Sequence, residues 1–230
     1  MLDGKVVLIT GANGGLGNVV TRAFLQAGAT VYGASRAIHP SEFDHSAFHA
    51  LPAEIRSASE AQVLVSQVTQ GAGRLDSLLH LVGGFAGGKY VEETETAVVS
   101  GMMELNFLAL FYMLQAVLPV MRARQSGSIT AIGSRTAVMP QGTLGAYSAS
   151  KAAAVSLMQT VALETKGSGV TANVVLPGTM NTPANRAANP SVDPSRWVQP
   201  AQVAALLVHL ASPAASQISG AVIPIYGGEL

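Results

Sequence analysis

The sequence predicts an α/β fold: a doubly wound parallel sheet with helices on both faces, in three layers. Strand and helix patterns alternate along the whole chain, which is typical of parallel strands joined by helical crossovers. Hydrophobic residues make up 49% of the 230 residues and charged residues only 11%, as expected for strands covered on both faces. A glycine-rich turn joins the first strand to the first helix. Residues 1–230 are predicted to form a single domain.

Four strands are predicted in the first half of the chain. Each is a short apolar run: residues 5–9, 30–34, 48–51 and 77–82. The first leads into apolar residues at helical spacing over 16–26. The third is poorly marked, and Pro52 places it near an edge or an end of the sheet. The segment from Ser57 to Glu60 is a capping box, which predicts a helix that runs towards Gln70.

Three more strands and three helices are predicted in the second half. The strands are residues 128–132, 171–176 and 221–225, and the helices are residues 96–122, 147–166 and 200–210. Residues 181–199 are rich in Pro, Asn and Ser, so a loop or lid is predicted there. The apolar stretch 105–121 holds polar residues and a proline, and it is predicted to be a buried helix rather than a membrane span.

Composition narrows the classes of function. The net charge is +0 with no long run of one sign, which argues against nucleic-acid and membrane partners. There is no cysteine, so disulfides, thiolate chemistry and zinc–sulfur sites are excluded. His39, His45 and His49 lack plausible carboxylate partners, so surface positions and no metal site are predicted. The first strand begins too close to Met1 for a signal peptide, and a soluble, cytoplasmic protein is expected.

The glycine-rich turn predicts a dinucleotide site. Residues 10–17 read TGANGGLG, between an apolar strand and a helix. Such a turn lets the backbone approach a pyrophosphate, and the helix N-terminus offers it free N–H groups. Because glycine also makes ordinary turns, the motif is weighed together with a second group of residues. The residues predicted to contact the dinucleotide here are Gly11, Asn13, Gly14, Gly15, Leu16 and Gly17.

The second group is Tyr147, Lys151 and Ser134. Tyr147 and Lys151 are four residues apart, so a helix places both side chains on one face. A nearby ammonium lowers the pKa of a phenol, which can then exchange a proton with a carbonyl or alcohol oxygen. Ser134 follows a strand, where its hydroxyl could hydrogen-bond the reacting oxygen. Each residue alone would be read as packing or a turn, but the combination with the glycine turn favours catalysis.

These motifs resemble the short-chain dehydrogenase/reductase family over nearly all of the chain. Gly11, Gly15 and Gly17 resemble its cofactor fingerprint, and Ser134, Tyr147 and Lys151 match its catalytic triad in type and spacing. The resemblance implies a Rossmann-like fold. It also implies that Tyr147 is the general acid/base, that Lys151 holds the nicotinamide ribose and lowers the phenol pKa, and that Ser134 polarises the carbonyl.

Further residues acquire roles from the same resemblance. Asn106 matches the family's fourth catalytic residue, which supports a water-mediated proton relay to the lysine. The PGxxxT segment is expected to hold the nicotinamide carboxamide through Pro177, Gly178, Thr179, Met180 and Thr182. The family's Asn-Asn-Ala-Gly is replaced by His80, Leu81, Val82 and Gly83, with Gly83 and Gly84 kept as cofactor contacts and His80 read as structural. Glu54 stands where the family often has an aspartate near the adenine, and Ile55 adjoins it.

The second strand is followed by residues that favour NADP(H), with NAD(H) as the alternative. No carboxylate is present there to accept the ribose hydroxyls of NAD. Ser35 and Arg36 are suited instead to bind a 2′-phosphate. The alternative interpretation is that Arg36 is only a solvated loop residue.

The expected partner is a small-molecule ketone, aldehyde or alcohol. A local likeness to quinonoid dihydropteridine reductases at residues 83–88 and 176–197 makes a pteridine or quinonoid substrate the second hypothesis. Phe85 could stack on such a planar ligand, or it could simply anchor the glycine-rich loop. That subgroup favours NADH and lacks the triad serine, unlike this chain. A non-catalytic, dinucleotide-binding redox sensor is the third hypothesis. Family resemblance also implies a homodimer or homotetramer formed through the helices at 96–122 and 147–166.

Overall fold

A computed structural model describes residues 1–228, and within them seven strands form one parallel sheet. The strands are β1 (Val6–Thr10), β2 (Thr30–Ser35), β3 (Phe48–Pro52), β4 (Ser77–His80), β5 (Gly127–Ile132), β6 (Val170–Pro177) and β7 (Val222–Ile225). Their order is β3-β2-β1-β4-β5-β6-β7, which reverses direction between β1 and β4. The predicted doubly wound α/β fold is confirmed. The last two residues of the predicted single domain lie outside the described residues.

Helices cover both faces of the sheet. They are α1 (Gly17–Gln26), α2 (Ala58–Ala72), α3 (Thr96–Met103), α4 (Ala109–Ala123), α5 (Gly145–Glu164), α6 (Pro183–Ala188) and α7 (Pro200–Leu210). Helices α1 and α7 pack on one face, and α2, α4 and α5 pack on the other. Alternate residues of β1 point into the two cores: Val7 and Ile9 into the first, Val6 and Leu8 into the second. Both cores therefore pack against β1.

Several boundaries differ from the sequence prediction. The fourth strand ends at His80 rather than residue 82, because the chain then leaves the sheet beside Gly11. The predicted loop 181–199 contains α6, whose first turn is capped by Thr182. The weakly marked third strand pairs with β2 alone among the described residues, which confirms its edge position. Ser57 caps α2 as predicted, but the Glu60 carboxylate accepts from the N–H of Arg56, not of Ser57.

The long helix predicted at 96–122 is interrupted by a π-helical turn, Glu104–Leu108, between α3 and α4. This turn carries the buried Asn106, and such turns are frequent at functional sites. The whole segment Thr96–Ala123 is long and apolar enough to cross a membrane by length and composition. Its residues Leu110, Met113 and Val117 are nevertheless buried in the core against the sheet, as in a packed helix.

A buried carboxylate organises the amino-terminal edge of the sheet. Asp76 precedes β4, accepts a hydrogen bond from the N–H of Val6 at 2.9 Å, and receives Nε of Arg74 at 2.8 Å. Lys5 and Arg124 lie within 3.8 Å of the same carboxylate. Burial raises the pKa of Asp76, but Arg74 and the other donors outweigh it and hold the pKa below its usual value. This ion cluster ties β1 to β4 at the edge opposite the loops described next.

Candidate active site

The candidate site lies at the carboxyl edge of the sheet, beside the point where the strand order reverses. The glycine turn leaves β1 there, and Gly11 adopts a φ of 73°, which favours glycine. Its N–H donates to the carbonyl of Ala34 at 2.7 Å. Gly17 opens α1 so close to the turn that a Cβ would lie 1.9 Å from the carbonyl oxygen of Gly11. Only glycine fits at position 17.

The rest of the turn is held by its neighbours. The N–H of Gly14 donates to Gly11 at 3.1 Å, and the side-chain amide of Asn13 donates to the carbonyl of Ala37 at 3.0 Å. Leu16 is buried in the core beneath α1. A Cβ at Gly15 would lie 3.3 Å from the side chain of Thr182, so the glycine turn and the PGxxxT segment lie side by side with little room for a larger residue at position 15.

A cavity of about 620 Å³ runs from this turn along the edge of the sheet. Its walls include seven of the residues predicted to contact the cofactor: Gly11, Gly14, Ser35, Arg36, Glu54, Ile55 and Gly83. Arg56 and the helical residues Glu104 and Leu108 also line it, and Arg56 was not predicted. The volume and the mixed lining suit a small-molecule or cofactor site. Ser134 and Tyr147 are outside this lining, beyond Gly83.

Gly83 joins the cavity to the residues predicted to be catalytic. A Cβ at Gly83 would lie 3.0 Å from Nζ of Lys151 and 2.9 Å from Oδ1 of Asn106. Oδ1 of Asn106 accepts from the N–H of Gly84 at 2.9 Å, and its amide donates to the carbonyl of Gly84 at 3.1 Å. The π-helical turn thereby fixes the loop after β4 against α5.

The three residues of the predicted triad are brought together. Ser134 follows β5, near enough to the Tyr147 phenol that its hydroxyl lowers the pKa of that phenol, and its Oγ accepts from the N–H of Thr136 at 3.2 Å. Lys151 is buried one turn after Tyr147 on α5, and its Nζ donates to the carbonyl of Ile132 at 2.8 Å. The ammonium is thus held at the end of β5.

Ser150 supports this arrangement and was missed by the sequence analysis. Its Oγ donates to the carbonyl of Tyr147 at 2.8 Å and accepts from the amide of Asn106 at 3.0 Å. It therefore links α5 to the π-helical turn. The available signal was a small polar residue in the YxxSK sequence, three residues after the tyrosine and on the same side of the helix.

Burial governs the protonation of the two key groups. It raises the pKa of the Tyr147 phenol, and the hydrogen bond with Ser134 acts in the opposite direction without reversing the shift. This net direction is opposite to the lowering expected from Lys151. Burial also lowers the pKa of Lys151 from 10.5 to about 8. At neutral pH the site therefore holds a protonated phenol beside a buried cation.

His80 is enclosed beneath the site. Its Nδ1 lies 3.0 Å from Oγ1 of Thr10 at the end of β1, and its Nε2 has no hydrogen-bond partner among residues 1–228. Burial, with a smaller contribution from the charge of Lys151, lowers the pKa of His80 to about 3. The imidazole is therefore neutral at physiological pH, as suits the predicted structural role.

Phe85 stands at the rim of the site. Its ring meets the ring of Tyr147 edge-on with centroids 5.0 Å apart, and 68% of the residue is exposed. A Cβ at Gly87 would lie 3.3 Å from this ring, so the loop after β4 brings Phe85 beside the phenol. An exposed aromatic ring next to the reacting group is available to a substrate.

The PGxxxT segment leaves β6 at the same edge. Gly178 donates to the carbonyl of Ile225 at 3.0 Å, and the carbonyl of Thr179 accepts from the N–H of Val198 at 2.8 Å. Met180 also forms an isolated bridge with Val198. The segment starting at Pro177 is thereby braced against the chain before α7.

The three histidines noted in the sequence lie apart from the site. His39, His45 and His49 are exposed, as predicted, and the ring of His49 stacks on Tyr32 with centroids 4.6 Å apart. Within residues 1–228 no group of three or more His, Asp or Glu side chains is arranged to hold a metal ion.

The fold, with a cavity at the point where the strand order reverses, is that of an α/β oxidoreductase, and Ser134, Tyr147 and Lys151 lie beside the cavity as predicted. The family model of the short chain dehydrogenases matches residues 5–193. The chain belongs to the short-chain dehydrogenase family and is an oxidoreductase of alcohol and carbonyl groups.

Individual relatives agree with this assignment. The chain is 32% identical to the rhamnolipids biosynthesis 3-oxoacyl-(acyl-carrier-protein) reductase of Pseudomonas aeruginosa, over 99% of this chain and 96% of that one. A short-chain type dehydrogenase/reductase from Mycobacterium ulcerans shares 27% identity with a TM-score of 0.92, over 99% of this chain and 90% of that one. ElxO with NADP bound is similar in fold, with a TM-score of 0.93 at 24% identity over 98% of each chain.

Proposed function

We propose that the protein transfers hydride between NADP(H) and a small ketone or aldehyde, or the corresponding alcohol. The observation that carries the proposal is the placement of the Lys151 ammonium and the Asn106 amide beside Gly83 of the cavity lining, with Tyr147 one turn before Lys151 on α5. A purely structural helix would have no reason to bury an ammonium and an amide at the end of a ligand cavity. When bound, the nicotinamide ring supplies or accepts the hydride.

The residues of the chain supply positioning and proton transfer. Tyr147 gives its proton to the carbonyl oxygen in reduction and takes it back in oxidation. Ser134 donates a hydrogen bond to the same oxygen as negative charge develops on it. Lys151 provides the positive charge behind the phenol, and Asn106 fixes the adjoining loop through Gly84.

The residues at the carboxyl edge fit a nicotinamide dinucleotide. Gly11 and Gly17 keep side chains out of the turn, and the start of α1 offers N–H groups to a pyrophosphate. Ser35 and Arg36 would receive the 2′-phosphate, with Glu54 and Ile55 at the same adenosine end of the cavity. Lys151 would hold the nicotinamide ribose, and the segment from Pro177 to Thr182 would hold the carboxamide.

Relatives with bound cofactors support a dinucleotide without deciding between the two, since ElxO binds NADP and the Brucella melitensis 3-ketoacyl-(acyl-carrier-protein) reductase is complexed with NADH. Our proposal of NADP(H) rests on Arg36.

Replacing Arg36 by Asp is expected to lower kcat/KM with NADPH by about 10- to 100-fold, because a charge-assisted hydrogen bond is lost. The preference should reverse towards NADH. Steady-state kinetics with both cofactors measures this, and Arg22→Asp, an exposed change outside the cavity lining, is the matched control. Better use of NADH by the unmodified enzyme would contradict the assignment.

The pH dependence tests the role of Lys151. Its pKa of about 8 means that the ammonium loses its proton as the pH rises through that value, whereas the raised pKa keeps Tyr147 protonated. In the reductive direction kcat/KM, which reports groups of the free enzyme, is therefore expected to fall about tenfold per pH unit above this point. A Lys151→Arg variant keeps its positive charge at high pH. If the variant retains activity, kcat/KM should begin to fall at a higher pH than in the unmodified enzyme. A profile that stays flat to pH 10 in the unmodified enzyme would refute the assignment.

A planar, quinonoid substrate is the second candidate, and the exposed ring of Phe85 beside Tyr147 favours it.

We also propose a cytoplasmic homodimer or homotetramer. Its support is the exposed apolar surface of α3, the π-helical turn and α5, including Val99, Leu105 and Leu163.

A further inference from the structure

Two guanidinium groups flank one carboxylate at the adenosine end of the cavity. Glu54 Oε2 lies 2.7 Å from an NH2 nitrogen of Arg56, and Glu54 Oε1 lies 3.9 Å from an NH1 nitrogen of Arg36. All three residues line the cavity together with Ser35. The side chain of Glu54 is 38% exposed, whereas those of Arg36 and Arg56 are 79% and 71% exposed, so both cations remain accessible to a ligand.

The charges of this group matter for a phosphate. Two cations and one anion leave a formal charge of +1, and Glu104, on the π-helical turn, is the remaining charged residue of the cavity lining. A 2′-phosphate carries up to two negative charges, so it is attracted by both guanidinium groups and repelled by Glu54. The same carboxylate holds Arg56 and partly neutralises Arg36.

We propose that Glu54 and Arg56 set the cofactor preference together with Arg36. Arg56 is a second cation for the 2′-phosphate, and Glu54 is the counter-ion that the phosphate displaces. The inference rests on the proposed use of NADP(H) and adds two specificity-determining residues to it. It differs from an adenine-contacting role for Glu54, which would affect both cofactors alike.

The need to displace Glu54 from the arginines limits the preference for NADP(H). The phosphate gains two arginines but separates an existing ion pair, whereas the ribose hydroxyl of NAD leaves that pair intact. A carboxylate can also accept a hydrogen bond from this hydroxyl. The unmodified protein should therefore bind both cofactors, with a smaller preference for NADPH than two unopposed arginines would give.

Equilibrium binding of NADPH and NADH, followed by the fluorescence of the reduced nicotinamide, tests the inference without turnover. The variants are Glu54→Gln, which removes the charge and keeps an acceptor, and Arg56→Gln. Since one unit charge a few ångströms away in water changes an affinity about fivefold, Glu54→Gln should tighten NADPH by about that factor and change NADH by less than twofold. Arg56→Gln should weaken NADPH by a similar factor and reduce the dependence of its affinity on salt.

A second pair of ligands isolates the phosphate. Adenosine 2′,5′-bisphosphate and adenosine 5′-monophosphate differ only in the 2′-phosphate, and competition against NADPH should reproduce the opposite effects of the two variants for the bisphosphate alone. Arg22→Gln is the matched control, because Arg22 is an exposed arginine outside the cavity lining. Its affinities should equal those of the unmodified protein.

Two results would overturn the inference. Equal weakening of NADPH and NADH by Glu54→Gln would show a contact with the adenine, and an unchanged NADPH/NADH ratio in both variants would show a surface ion pair only. Either result leaves the proposed function intact if the unmodified protein prefers NADPH. A preference for NADH in the unmodified protein would overturn the proposed cofactor instead. The change in the NADPH/NADH affinity ratio between the variants and the unmodified protein would still test the roles of Glu54 and Arg56.

Discussion

Replacement of Tyr147 by phenylalanine is expected to lower kcat by about a thousandfold, because proton transfer by a positioned group contributes on the order of 10²- to 10⁴-fold. Ser134 lies near the phenol hydroxyl, and the ring packs edge-on against Phe85. The substitution keeps the ring and removes only the proton donor. Cofactor affinity should change little, since the glycine turn and the cavity are untouched.

Steady-state kinetics on a panel of ketones and aldehydes, with NADPH binding measured in parallel, provides the test. Thr160→Val is a suitable control, because Thr160 lies on α5 with its hydroxyl bonded only locally, to the carbonyl of Ser156. Turnover by the Phe variant at the parent rate would contradict the mechanism. Cofactor binding with no turnover of any carbonyl or alcohol by the unmodified protein would favour the redox-sensor alternative.

Replacement of Gly17 by alanine is expected to abolish cofactor binding and to destabilise the protein by about 3 kcal/mol or more. The new methyl group would lie 1.9 Å from the carbonyl oxygen of Gly11 and 2.9 Å from that of Ala12. These are backbone atoms of the turn, so the helix or the turn must move. Either movement displaces the N–H groups at the start of α1 that would bind the pyrophosphate.

Thermal unfolding and NADPH binding measure the two effects of the Gly17 substitution. Gly101→Ala is the matched control for stability, because Gly101 is also helical and a Cβ there meets no atom within 4 Å. Exchanging a helical glycine for alanine in open space should stabilise by about 0.5–1 kcal/mol. A Gly17→Ala protein with the parent melting temperature and affinity would show that the close packing of the turn is dispensable.

The sequence was sufficient for the sheet and most of its helices, because strands buried on both faces are continuous apolar runs. Period and hydrophobicity do not reveal how a helix is interrupted, so the π-helical turn at Asn106 was missed. Helix α6 was missed for a different reason: it is six residues long with none of them buried, so it has no apolar face to add to the signal of the Thr182 cap.

Candidate residues could be chosen from motifs, but their electrostatics required the fold. The spacing of Tyr147 and Lys151 suggested a lowered phenol pKa, whereas burial of both groups decides the directions in the structure. Nothing in the sequence singled out Arg56. It lies two residues after Glu54 in a loop, and that spacing does not show that Arg56 and Arg36 both pair with the Glu54 carboxylate. Ser150 was visible only as part of a motif, and its link to Asn106 depends on how α5 meets the π-helical turn.

The salt-bridged carboxylate and the reacting phenol occupy opposite rims of one sheet. Asp76 precedes β4, a four-residue strand about 13 Å long, and the loop that carries Phe85 follows the other end of that strand. Groups so distant, with no shared partners, contribute almost independently to folding and to chemistry. Substrate range can therefore diverge through the loops of one rim, by natural drift or by engineering, while the other rim keeps β1 and β4 in register.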